Sequence, residues 1–158
     1  IDPDWTTDGR VRAFEYYDIS YTPEVYAMGD FLCYGVSYSA YKNYIDPYLD
    51  RTTGIHISVQ KTVNADTVGA VIQVSNWTET TYNNVTLFSA VVEDRDYRLY
   101  EALVRDMFIE QQIAAFEPGD QLTYNLTSAQ LSNLGAHDLR VIAWLQKVDK
   151  EILQAGFD

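Results

Sequence analysis

Regular alternation of apolar and mixed residues is the feature that most constrains how this chain folds after residue 54. In the stretch VGAVIQVS, at residues 68–75, every second side chain is apolar, as in a strand with one buried face. Similar Val/Ile/Thr-rich segments recur along the rest of the chain, separated by polar turns. They predict seven strands, at residues 55–63, 68–76, 85–94, 100–107, 121–126, 139–146 and 152–155.

Seven short strands without a long helix are typical of an antiparallel sandwich of immunoglobulin type. The fold is therefore predicted to be mainly β, and Trp144 is a predicted core tryptophan. A short polar stretch ending at Gly54 separates this part from what precedes it. We expect two units, residues 1–53 and residues 54–158.

The first unit has a different composition, because nine of the 13 tyrosines lie between Tyr16 and Tyr48. Its pattern predicts a strand at residues 23–28, a tight turn at Gly29 and Asp30, and a return strand at residues 31–34. A helix is expected from Tyr38, with Ser37 as its N-cap. Pro47 should kink this helix or end it early. The whole chain then has α+β character.

This order of strand, hairpin and helix resembles the C-terminal half of the thioredoxin fold. The matching residues are Tyr17-Asp18-Ile19, Thr22-Pro23, Gly29, Gly35 and the helix after Ser37. The resemblance implies a partial thioredoxin-like ββα unit with a cis Thr22–Pro23 bond. The preceding βαβ unit and the CxxC pair of that family are absent here, and Cys33 is the one cysteine.

The second unit resembles the sandwich that certain secreted bacterial proteins and outer-membrane lipoproteins join to a thioredoxin-like domain. The matching features are Val92-Glu93-Asp94, Arg105, Pro118-Gly119-Asp120 and the segments VIAWLQ and KEILQA near the end. This resemblance implies an extracellular, periplasmic or cell-surface location. It also implies that the chain is a fragment of a longer thioredoxin-like protein.

The charge of the chain excludes some classes of partner. It carries 23 acidic and 11 basic residues, a net charge of −12 at pH 7. Such a surface is repelled by phosphate backbones and anionic headgroups, so nucleic-acid binding is not expected. No apolar run approaches the roughly 20 residues that span a bilayer. We therefore predict no membrane span.

The candidates for chemistry are weak. Cys33 lies in an apolar strand and is expected to be inert, and His56 and His137 lack ligand-spaced companions. Glu93, Asp94 and Asp96 form the densest acidic cluster and are weak calcium candidates, although a solvated turn is the favoured interpretation. We expect no catalytic residues, no resident metal and no cofactor.

Candidate binding residues are Pro23, Trp77 and Tyr97, the two aromatic ones lying in or near predicted loops. Three Asn-x-Thr sequons, at Asn76, Asn84 and Asn125, have no meaning in a bacterial protein but would mark glycosylation sites in a eukaryotic secreted one.

These observations favour a non-catalytic extracytoplasmic module that mediates interaction or spaces another domain. A protein partner or a second copy of the chain is expected, because a truncated ββα unit leaves an open sheet edge and an aromatic face. Tyr26, Tyr41 and Tyr48 should then be buried. Two alternatives stay open: a piece of a thiol-disulfide oxidoreductase whose CxxC half is absent, and a carbohydrate- or calcium-binding sandwich.

Overall fold

The computed structural model of the chain describes residues 24–27, 30–34, 38–49, 52–97, 100–131 and 138–158. These residues form a mainly β, antiparallel structure with one short helix. The strands are β1 Glu24–Ala27, β2 Asp30–Tyr34, β3 Ile55–Val63, β4 Val68–Asn76, β5 Tyr82–Tyr97, β6 Tyr100–Met107, β7 Gln111–Phe116, β8 Gln121–Thr127, β9 Asp138–Gln146 and β10 Ile152–Phe157. The helix, α1, is Tyr38–Leu49.

The first two strands pair as an antiparallel hairpin, with Val25 opposite Cys33 and Ala27 opposite Asp30. Asp30 is therefore the first residue of the return strand and not part of the predicted turn. Helix α1 begins at Tyr38 as expected and runs past Pro47 to Leu49. The helix therefore does not end at Pro47, one of the two effects expected there, and the alternative effect, a kink, stays a prediction. The Thr22–Pro23 bond lies outside the described residues.

The residues after 54 form two sheets, of which the smaller has the strand order β3-β4-β8. Its strands pair without a register shift: Ile55 lies opposite Asn76, and Ser75 opposite Gln121. Alternation in the sequence sends Val68, Ala70, Ile72 and Val74 to the inner face, where all four are buried. The first and last residues of β3 and β4 agree with the predicted strands 55–63 and 68–76.

The larger sheet has the order β10-β9-β5-β6, and β7 also pairs with β5. Strand β5 is 16 residues long, so β7 lies along its first half and β6 along its second half. Strand β7 was not predicted. Its two buried apolar residues, Ile113 and Phe116, are three positions apart, which is not the spacing of a strand.

Both sheets contribute to one hydrophobic core, whose members include Ile57, Ile72, Leu87, Val141 and Leu145. Trp144 is not among them, which corrects the prediction. Its neighbours Ala143 and Leu145 face the core, so the strand alternation places Trp144 on the opposite face of β9. There it is half-buried and stacks on Phe88, with the ring centroids 5.6 Å apart.

Strand β10 passes close to β3 at one side of the two sheets. The Gln154 amide Nε2 donates to the Ile55 carbonyl at 3.2 Å and to Thr53 Oγ1 at 3.1 Å. Lys61 Nζ lies 2.6 Å from Asp158 Oδ2, and Asp158 Oδ1 accepts from the Val141 N–H at 2.5 Å. These contacts join an edge of the smaller sheet to the end of the larger one.

Strand β10 comes so close to β3 at Gly156 that a Cβ added there would lie 2.7 Å from the Ile57 carbonyl oxygen. We expect Gly156→Ala to lower the free energy of unfolding by about 1–3 kcal/mol, since backbone must move to relieve the clash. Urea denaturation measures this. Gly69→Ala is the matched control, because its Cβ would meet nothing nearer than 3.7 Å. Equal stability of the two variants would contradict the close approach of β10 to β3.

Candidate functional site: the outer face of the smaller sheet

The outer face of the smaller sheet is a grid of polar residues that the strand registers bring together. Every second residue of β3, β4 and β8 points away from the core, and most of these positions are exposed. We call this set the neutral face; it consists of His56, Ser58, Gln60, Thr62, Gly69, Val71, Gln73, Ser75, Gln121, Thr123, Asn125 and Thr127.

Four rows cross the neutral face. The registers place His56 beside Ser75 and Gln121, and Ser58 beside Gln73 and Thr123. The next row is Gln60, Val71 and Asn125, and the last is Thr62, Gly69 and Thr127. Although 22% of the chain is charged, no position of this face carries Asp, Glu, Lys or Arg. The face therefore offers amide and hydroxyl groups without a formal charge.

Trp77 lies at one end of the neutral face, in line with Ser75 along the chain. Its backbone N–H donates to the Gly54 carbonyl at 2.8 Å. On the other side of Trp77, the register that places Ser75 opposite Gln121 extends by two residues and places Trp77 opposite Gly119. Both glycines have positive φ, 67° and 87°, a conformation that side chains disfavour. The Trp77 side chain is 65% exposed.

His56 and Trp77 form a stacked pair. Their ring centroids are 5.4 Å apart and their planes differ by 15°. His56 lies opposite Ser75, so Trp77 is its diagonal neighbour across β3 and β4, a separation that aromatic side chains bridge. Each ring covers one face of the other, and the indole still remains largely exposed at the end of the amide and hydroxyl rows.

Asn76 fixes the backbone beneath Trp77. It is fully buried, and its amide Nδ2 donates to the Thr80 carbonyl at 2.9 Å and to the Phe116 carbonyl at 3.0 Å. Its Oδ1 accepts from the Thr78 N–H at 3.0 Å and from Thr78 Oγ1 at 2.7 Å. The sequon residues Asn76 and Thr78 therefore bind each other and the backbone, so that this sequon has a structural role.

Charge is concentrated elsewhere among the described residues. In the turn between β9 and β10, Lys147 Nζ lies 2.7 Å from Glu151 Oε2 and 3.1 Å from Asp149 Oδ2. The hydrogen bond from Lys147 holds the pKa of Asp149 below its usual value, and Glu151 raises the pKa of Lys147. On the inner face of β8, burial raises the pKa of the Tyr124 phenol.

Of the calcium candidates Glu93, Asp94 and Asp96, the structure describes only the side chain of Glu93. Glu93 is buried at the end of the core, and its carboxylate is bound by Arg105, a cation that opposes metal binding. The side chains of Asp94 and Asp96 lie outside the described residues. Among those that are described, no three His, Cys, Asp or Glu side chains are grouped as metal ligands would be.

Of the binding residues predicted from the sequence, the structure describes the side chain of Trp77 alone. Trp77 is in an exposed position at the edge of the neutral face, as a binding residue requires. Tyr97 ends β5, opposite Tyr100, but its side chain is outside the described set, as are Pro23, His137 and the side chain of Cys33. The predicted burial of Tyr26, Tyr41 and Tyr48 concerns side chains that are likewise outside it.

Sequence reasoning missed the neutral face as a unit. The signal was available in the Ser, Gln, Thr and Asn residues at alternate positions of three predicted strands. Combining them required the registers β3-β4 and β4-β8, and β8 lies far from the other two in sequence. His56 was set aside for want of metal-ligand companions, whereas its partner is an aromatic ring.

The chain is similar to known proteins in structure but at low sequence identity, 12–15% for the three described below. No protein-family model matches the chain, and no curated protein matches it. A domain of the outer membrane lipoprotein Omp28 from Porphyromonas gingivalis is similar at 12% identity, over 66% of this chain and 85% of that one, with a TM-score of 0.49.

Two larger proteins are also similar over part of their length. A β-glucuronidase from glycoside hydrolase family 2 matches at 12% identity over 67% of this chain, with a TM-score of 0.44. A glycosyl hydrolase family 2 member from Bacteroides cellulosilyticus matches at 15% identity over 68% of this chain, with a TM-score of 0.43. The chain spans only 11% and 14% of these two proteins. Separately, no helix within the described part is long and apolar enough to cross a membrane.

Proposed function

We propose that this chain is a non-catalytic, extracytoplasmic binding module and that the neutral face is its binding surface. The single observation that carries the proposal is the exposed His56–Trp77 stack at the end of an uncharged amide and hydroxyl grid. Aromatic side chains beside a few convergent polar groups are the usual composition of a ligand-binding surface. Exposed polar groups beside the stack supply the specificity.

The finer architecture we propose is an immunoglobulin-like sandwich for residues 54–158. With β6 and β7 counted as one interrupted strand, the order is first-second-fifth in one sheet and seventh-sixth-third-fourth in the other. In sandwiches of this type, a fourth strand beside the third belongs to the sheet that holds the last two strands. The strand order and the shared core support this assignment.

For residues 1–53 we propose the partial thioredoxin-like ββα unit that the sequence resembles. The hairpin β1-β2 followed by α1 is the expected order of elements. A redox role does not follow for this chain, because a two-cysteine exchange cycle cannot close on Cys33 alone. The proposed location is the bacterial periplasm or cell surface, as the sequence resemblance implies.

Retention on isolated Gram-negative cell envelopes tests the proposal. The variant Gln73→Glu/Thr123→Glu adds two carboxylates to neighbouring positions of one row of the neutral face. We expect the wild-type chain to sediment with the envelopes and this variant to lose at least about tenfold in affinity, the equivalent of about 1.4 kcal/mol, because charge there must be desolvated.

A matched control adds the same charge elsewhere. Gln112→Glu/Ala114→Glu places two carboxylates at exposed positions on the outer side of β7, in the other sheet. It should bind as the wild-type chain does. If the wild-type chain does not sediment, the proposed location at the cell envelope is wrong. If the two double variants bind equally, the neutral face is not the binding surface.

A further inference from the structure

We infer that the ligand of the neutral face is an uncharged polysaccharide. This inference rests on the proposed function, since it names the ligand class of the same surface. It depends on three features taken together. These are the His56–Trp77 stack, the rows of amide and hydroxyl side chains, and the lack of charged residues on this face although the chain as a whole is strongly acidic.

The stacked pair suits the apolar side of a sugar ring. The face of an indole is apolar and carries a partial negative charge, so it attracts the slightly positive C–H groups that a pyranose presents on one side. Trp77 is 65% exposed although it stacks on His56, so its indole is accessible to a ligand. A ring of this kind binds a planar saccharide without needing a deep pocket.

The amide and hydroxyl rows suit the edges of the same ligand. Gln and Asn each offer two N–H donors and a carbonyl acceptor, and Ser and Thr offer a hydroxyl that donates and accepts. Such groups match sugar hydroxyls, which also donate and accept. Neighbouring strands are about 4.8 Å apart, so a row such as Ser58, Gln73 and Thr123 repeats these groups on the scale of a sugar ring.

Charge distinguishes a neutral polymer from an anionic one. Anionic ligands are held by Arg and Lys, and the neutral face has neither. The net charge of −12 also repels a polyanion at long range. A neutral polysaccharide avoids both costs.

The same face is poorly suited to a protein partner. The buried core of a protein interface is about 65% non-polar by area, whereas the apolar side chains here are Val71 and the terminal Trp77. A second copy would also bring together two chains of net charge −12. These considerations favour the polysaccharide over a protein.

Affinity gel electrophoresis tests the inference with defined probes. Native gels are cast with galactomannan, xyloglucan or dextran as neutral polymers, and with polygalacturonate as the anionic one. We expect at least one neutral polymer to slow the wild-type chain, and polygalacturonate not to slow it. Trp77→Ala should weaken the effect at least about tenfold, since loss of an aromatic stacking contact in a binding site is a large effect.

The matched control is Val148→Ala, which removes an apolar side chain that is 79% exposed in the turn between β9 and β10. It should migrate as the wild-type chain does. Lack of retardation by all three neutral polymers, or equal retardation of Trp77→Ala, would overturn the inference.

Periodate treatment of the envelopes distinguishes two outcomes: that the ligand is not a polysaccharide, and that the chain is not a binding module. Periodate oxidises vicinal diols of sugars, so it should abolish sedimentation, whereas protease treatment should leave it intact. Sedimentation that protease abolishes and periodate leaves intact would refute the polysaccharide and keep the binding module. Retardation in neutral gels without envelope binding would keep the ligand class and refute the proposed location.

Discussion

Arg105→Met should lower the free energy of unfolding by about 3–5 kcal/mol, the cost of breaking a buried ion pair by removing one partner. The Glu93 side chain is 1% exposed and the Arg105 side chain 17% exposed, and Arg105 Nη1 donates to Glu93 Oε2. Without its arginine, the buried Glu93 carboxylate loses the cation with which it forms this ion pair. Urea denaturation at neutral pH measures the loss.

The position of Arg105 follows from an irregularity in the sheet. Val91 lies opposite Asp106 and Val92 opposite Val104, so Arg105 is an extra residue in β6. A bulge of this kind bends the strand and redirects the side chain of the extra residue. Here it brings the guanidinium to Glu93, which shares the core-facing side of β5 with Val91.

Two further variants make this prediction specific. Glu93→Gln/Arg105→Met removes both charges and should recover part of the lost stability, which a double-mutant cycle measures. Lys147→Met removes a cation from a more exposed ion pair and should cost no more than about 1 kcal/mol. A loss below 1 kcal/mol for Arg105→Met alone would contradict the buried ion pair.

Asn76→Asp is the second large effect, with an expected loss of at least about 3 kcal/mol. The substitution replaces the Nδ2 donor with an oxygen that faces two carbonyl oxygens, those of Thr80 and Phe116. Both carbonyls lose the hydrogen bond from Nδ2, although Thr78 Oγ1 still donates to the Thr80 carbonyl at 3.2 Å, and a buried carboxylate is added between them. Thermal or urea unfolding of the variant measures the cost.

Asn125→Asp is the matched control, because Asn125 is exposed on β8 and the same change there should alter stability by no more than about 0.5 kcal/mol. If both variants unfold at the same urea concentration, Asn76 does not hold the turn. A destabilised Asn76→Asp variant that also loses ligand retention would link this turn to the placement of Trp77.

The second unit was largely predictable because period-2 alternation fixes which residues are buried. The bounds of β3, β4 and β6 agree with the predicted ones, and the remaining predicted strands differ at their ends. Trp144 was assigned to the core by residue type alone. The phase of VIAWLQ, with Val, Ala and Leu on one side, already placed the tryptophan on the other.

The site was less predictable than the fold, since it depends on contacts between distant segments. Trp77 was recognisable as an exposed aromatic residue near a loop, but its stacking on His56 depends on the β3-β4 register. Asn76 looked like part of a sequon, whereas its bond to the Phe116 carbonyl joins segments 40 residues apart. No local pattern encodes such a contact.

Oxidative footprinting of Trp77 shows whether a ligand covers this side chain. The wild-type chain is exposed to hydroxyl radicals with and without isolated Gram-negative cell envelopes, and mass spectrometry measures oxidation of the peptide that contains Trp77. We expect clear protection of Trp77 in the bound chain, and unchanged oxidation of Ile109, which lies outside the neutral face and is 83% exposed. Envelope-bound protein in which Trp77 is oxidised as fast as in free protein would contradict this expectation.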